Sequence, residues 1–171
     1  FLDENPMFAD RFLQRKGYPS DSALINAMYA LATNPELKKL ASEADQVFGD
    51  MAQEKQQLET AFKSIKYYYP EFQEPQVRSF VSGLNQDLLV SDSLVVFGLD
   101  FFIGKDASYR PDTYEYILAR YERPNMVPAA MLLLSNRFNK TNFLDRNLLA
   151  EMVNTGKAYY FVKSIMPFSP D

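Results

Sequence analysis

Two acids stand where this chain could do chemistry: Asp100, inside the apolar run Leu99-Asp100-Phe101-Phe102-Ile103, and Glu151, in Ala150-Glu151-Met152-Val153-Asn154. The chain has no histidine and no cysteine. It therefore offers neither an imidazole base nor a thiolate nucleophile, and the nitrogen and sulfur ligands of a zinc site are missing. Carboxylates remain. Glycoside cleavage needs only two of them at a suitable separation, so Asp100 and Glu151 form a candidate pair for a histidine-free hydrolase. A structural reading competes. An acid within an apolar run usually accepts hydrogen bonds from a backbone turn, because an unpaired buried carboxylate is costly. That reading leads for Asp100, which Gly98 and Gly104 bracket. For Glu151 the plain reading is a solvated acid on a helix.

The scaffold behind these residues is globular in composition. The 171 residues are 47% hydrophobic and 23% charged, the balance of one ordinary domain. Eleven Tyr and 14 Phe without Trp point to a core of large rings with hydroxyls reaching outward. The net charge of −4, with the bases unclustered, argues against a nucleic-acid partner. The apolar runs fall short of the roughly 18 consecutive residues that a spanning helix needs. The start at Phe1, with no signal-like run, reads as a processed or trimmed product.

The expected fold is α+β in a single domain over 1–171, helical over 1–69 and mixed sheet and helices over 70–171. Ser20-Asp21-Ser22 caps a helix with Leu24, Met28 and Leu31 on one face, ending near Thr33. Asn34-Pro35-Glu36 starts a long helix. Its seam, Leu40, Ala44, Val47, Met51, Leu58, Ala61 and Ile65, is interrupted only at Glu54, and the surface around Gln53 to Gln57 is read as solvated. Phe48 and Phe62 widen the stripe, favouring packing on the chain's own domain over a coiled-coil dimer, the alternative. Pro70 and Pro75 end the helical half. A strand follows over 77–81, then a hairpin of 88–90 and 94–99 around Ser91-Asp92-Ser93. Helices open at Pro111-Asp112, running to Tyr121, and at Val127-Pro128. A last one begins near Asn142 or Asp145 and carries Gly156 at its middle. A mid-helix glycine costs about 1 kcal/mol relative to Ala, which predicts close approach by another segment. Asn139-Lys140-Thr141 matches a glycosylation sequon of little weight.

Three segments then carry a resemblance. Tyr67-Tyr68-Tyr69-Pro70-Glu71-Phe72, the run from Leu94 to Asp106, and the run from Leu148 to Phe161 with its Gly156-Lys157 and aromatic cluster together resemble the gliding-motility lipoprotein GldB family of Bacteroidota. The resemblance covers roughly 67–171. It implies a domain held by a lipid anchor outside this chain, at the periplasmic face or outer membrane. It also implies that the family's fold continues beyond the point equivalent to Asp171. The family is distantly similar to zincin peptidases, whose active-site helix bears H-E-x-x-H. The matching window here is Ala150-Glu151-Met152-Val153-Asn154, so only the Glu stands and the zincin-like arrangement would lack its metal site.

The resemblance thus implies a non-enzymatic binding or assembly component with no cofactor and an envelope protein or peptide as partner. Zincin-like sheets bind extended peptides along an edge strand. Asp100, Glu151, Asn154, Lys157 and Tyr160 are the candidate residues for such a groove. The oligomeric state stays open.

Overall fold

The structure, a computed structural model, describes residues 2–139 and 147–167. After one π-helical turn at Phe8–Phe12, helix α1 spans Asp21–Thr33, with the Ser20 side chain accepting from Ala23 N as its N-cap. Only Leu24 of its expected apolar face is buried; Leu31 is exposed. Helix α2, Pro35–Phe48, starts on the expected signal: Asn34 Oδ1 accepts from Glu36 N at 2.8 Å.

The single long helix is instead two. Gly49 and Met51 take left-handed backbone angles (φ +54° and +56°), and α3 restarts over Ala52–Tyr68. Glycine adopts such a conformation without a Cβ penalty and so ends helices readily. The Gly49 N–H closes onto Asp45 O, and Asp50 Oδ1 accepts from Ala52 N at 3.0 Å to start the next helix. Both halves turn their seams inward: Leu40, Ala44 and Phe48 from α2, and Leu58, Ala61, Phe62 and Ile65 from α3, are buried. The seam is intramolecular.

Three strands follow: β1 (Gln76–Phe80), β2 (Leu88–Val90) and β3 (Leu94–Gly98). Their order is β1-β3-β2, with β1 parallel and β2 antiparallel to β3. β3 is buried along its whole length, which is why it reads as an unbroken apolar run rather than an alternating one. On one sheet face Leu94 and Val96 meet Phe8, with Phe12 and Phe80 packed around them. On the other, Val95 and Phe97 join the main core with Phe62, Met126, Met131, Val162 and Ile165. That core draws on both halves of the chain.

Because β1 and β2 flank β3, the chain between them must pass around the end of β3. It does so at Gly98, where an added Cβ would lie 2.0 Å from Gln86 O. A side chain there is excluded by the crossing loop itself.

The C-terminal half departs from the expected boundaries. The helix expected to run to Tyr121 shortens to α4, Glu115–Leu118. Helix α5 runs Arg123–Leu134, starting four residues before Val127 because Pro124 sits in its first turn, and it accommodates Pro128 inside. Helix α6 spans Leu148–Ile165, with Asn147 Oδ1 accepting from Ala150 N at 2.9 Å. The earlier starts at Asn142 and Asp145, and the end of the sequon, lie outside the described residues.

Candidate functional site

Asp100 follows β3 in a 3-10 turn, Leu99–Phe102, and is 1% exposed. Its carboxylate accepts from Ser82 N at 3.1 Å and from Leu84 N at 2.6 Å, and the Ser82 hydroxyl lies 3.1 Å from Oδ2. Ser82 Oγ in turn accepts from Asn85 N and Gln86 N. Gly83 and Leu84 hold positive φ angles of 72° and 60°, a conformation unfavourable for leucine without support. Asp100 is thus the clasp of the loop that carries the chain around β3. A carboxylate engaged this way presents no surface to a substrate.

The other four sequence candidates all lie on α6. Glu151 and Lys157 are exposed, Asn154 is half-buried and Tyr160 is 78% exposed. At about 100° per residue, successive steps of three turn back by about 60°. Glu151 and Tyr160 therefore point to roughly opposite sides of the helix, and the four do not share one face. α6 packs against α5 and α3, whereas the turn bearing Asp100 packs against α2, α5 and β1.

Two polar pairs escaped the sequence reading. Glu54, expected on the solvated stretch, is 2% exposed and receives Arg123 Nε at 2.6 Å and Nη2 at 3.1 Å. Arg123 Nη1 also donates to Val47 O at 2.5 Å, and its guanidinium lies 5.5 Å from the Phe48 ring. One arginine from α5 thereby clamps both sides of the α2–α3 break. The signal was present, since Glu54 is the one charge in the apolar seam. The second pair is Tyr121 Oη donating to Asp87 Oδ2 at 2.9 Å. It stands on a cavity of about 630 Å³ that Arg120, Asn125, Leu132 and Tyr159 also line. Burial, and then the Asp87 carboxylate, push the Tyr121 phenol up to about 12.

The free edge of β1 is the surface best built for recognition. Gln76 N donates to Ser93 O at 2.9 Å, fixing that residue toward β3. Strand alternation then turns the amides and carbonyls of Val77 and Ser79 outward, away from the sheet. Arg78 Nη1 takes up Val77 O at 3.1 Å; no other strand pairs with this edge among the described residues. The edge opens onto a groove of about 340 Å³ between β1 and α3, floored by Met51, Leu58, Phe62 and Val77 and rimmed by Lys55, Glu59 and Arg78. Backbone groups of an extended segment are what such an edge pairs with; pockets beside it sort side chains.

The profile of the family described as gliding motility protein GldB matches residues 1–171, the whole chain. No curated protein and no solved structure matches it. The zincin-like arrangement expected alongside that family is not shown by these comparisons.

Proposed function

The chain belongs to the GldB family of gliding-motility lipoproteins, and from that premise we propose that it is a non-enzymatic envelope component that binds an extended segment of a partner protein along β1. A lipoprotein of this family is a protein of the cell envelope; no described helix is long and apolar enough to cross a membrane. We place it at the periplasmic face or outer membrane of a Bacteroidota cell, as an assembly part of the gliding machinery.

The observation that carries this reading is the outward-facing backbone of Val77 and Ser79 beside an apolar groove. An added strand would pair with these groups, displacing Arg78 from Val77 O, while its side chains enter the groove against Leu58 and Phe62. Asp100 supports the reading indirectly, because it holds the loop through which β1 leaves the sheet.

Proline scanning along β1 tests it, because proline removes one N–H and is tolerated in a sheet only where that N–H faces outward. Ser79→Pro should leave the fold intact and abolish both partner co-purification from envelope extracts and gliding. Arg78→Pro, whose N–H faces β3, should unfold the sheet. Unchanged gliding and co-purification with a folded Ser79→Pro protein would remove the edge from consideration.

A further inference from the structure

Helix α6 is apolar on two opposite sides. Ala158, Phe161, Val162 and Ile165 turn toward α3 and α5, with Val162 and Ile165 in the core. On the far side Leu148, Leu149, Met152, Val153 and Tyr160 are exposed, between 48% and 78%, and half-exposed Tyr159 stands at the border, where it also lines the cavity beside α5. A broad apolar helix face left in water marks an interaction site. At about 100° per residue these six fall within one arc of about 140°, with Gly156 near its centre and half-buried Lys163 at its C-terminal end. Gly156 has nothing within 4 Å of where a Cβ would stand, so no described part of this chain makes the close approach that the sequence predicted for it.

The centre of the face is symmetric about that glycine, whereas farther out Leu149 and Leu148 correspond to Lys163 and Ser164. Met152 and Tyr160 stand four residues to either side of it, and Val153 and Tyr159 three residues to either side. We infer that a second copy of this chain packs its own α6 here, antiparallel and crossing at Gly156 on a two-fold axis. Such an axis sets Met152 of each copy on Tyr160 of the other, a favourable sulfur–aromatic contact, and Val153 on Tyr159. An isologous interface requires this self-complementarity. The missing Cβ lets the two backbones approach closely at the crossing. The six side chains together expose several hundred Å², on the order of the about 800 Å² per partner that a stable interface buries.

A membrane surface fits this face less well. A helix lying in a bilayer keeps a strongly charged, Lys/Arg-rich face in water, whereas the reverse side of α6 carries Glu151 and Asn154 in its first half and packs Val162 and Ile165 into the core in its second. The inference does not rest on the β1 edge, and either can fail alone.

The absence of cysteine makes the test clean. Gly156→Cys should oxidise to a disulfide-linked dimer nearly completely, while Lys66→Cys, on an exposed turn of α3, should not. Sedimentation velocity of the unmodified chain from about 1 to 200 µM should show a monomer–dimer equilibrium. Gly156→Leu and Met152→Glu should each weaken it at least tenfold, with circular dichroism and Tm showing the monomer folded. The inference is overturned by a monomer across the whole range, by a dimer that neither substitution weakens, or by a monomer that instead sediments with phosphatidylethanolamine–phosphatidylglycerol vesicles through Met152.

Discussion

Replacing Asp100 by alanine should unfold this protein far more easily while leaving every exposed surface as it was. The carboxylate is 1% exposed and receives two backbone amides, Ser82 N and Leu84 N, together with the Ser82 hydroxyl. Hydrogen bonds to a charged acceptor are worth about 1.5–3 kcal/mol each, and they do not add fully when they share one acceptor. Removing the acceptor also strands amides in a half-buried loop; relaxation of the Leu84 backbone, whose conformation costs about 1 kcal/mol or more, offsets only part of that. The expected loss is about 3–5 kcal/mol, or roughly 6–20 °C in Tm for a domain of this size. Asp100→Asn keeps the shape and one acceptor oxygen, and should lose about half as much. Urea unfolding followed by far-UV circular dichroism gives the energies. Hydrogen exchange at Ser82 and Leu84 reports whether the loop is what loosened. A loss below about 1 kcal/mol for Asp100→Ala, or unchanged protection at Leu84, would refute the clasp. An acid acting on a substrate gives the opposite pattern: stability kept, and the isosteric amide as damaging as alanine.

Two further outcomes follow from the polar pairs. Spectrophotometric titration near 295 nm should show one tyrosine ionising late, close to 12, and Tyr121→Phe should remove that step. Because folding raises this phenol above its ordinary value near 10, its contribution to stability is complete below about pH 10 and is lost as the pH rises toward 12. Arg123→Ala should cost about 2–4 kcal/mol by chemical denaturation, since it leaves Glu54 buried without its cation. That is less than for a fully enclosed pair, because the guanidinium is 33% exposed. Arg123→Ala combined with Glu54→Leu should recover most of the loss; no recovery would mean that the arginine acts through Val47 and Phe48 instead.

The readable part of this fold was whatever local chemistry decides. Ser20 and Asn34 cap the helices they were expected to cap, and Ser91-Asp92-Ser93 turns the expected hairpin. Asp100 was legible because an acid amid Leu99, Phe101 and Phe102 must be paying its desolvation with specific donors, although nothing in the sequence named Ser82 or Leu84. The break at Gly49 is invisible in the pattern because the heptad spacing continues on both sides of it, and the spacing of apolar residues does not register a left-handed turn between them. Glu54 reads as solvated because its partner, Arg123, is distant in sequence and arrives only through packing of α5. Strand order was likewise out of reach: a strand and a hairpin do not say which side of β3 receives β1, and so do not reveal which edge stays free. The candidate residues of α6 suit a groove by type; their three-residue spacing, carried around a helix, disperses them.

The strands of this sheet and the loop that clasps it all come from residues 76–98, with Asp100 two residues beyond. By contrast, the contact of Phe8 with Leu94 and the clamp of Arg123 on Glu54 join distant parts of the chain. Closing short loops costs less entropy, so the sheet can set its register while the flanking helices are still unattached. The order matters because Leu94-Val95-Val96-Phe97, uncharged and strand-forming, is the kind of segment that pairs with copies of itself when left open. Its two correct neighbours are the nearest available, one on each side. The topology that buries β3 in the finished protein also shields it during folding, by making its proper partners the first to arrive.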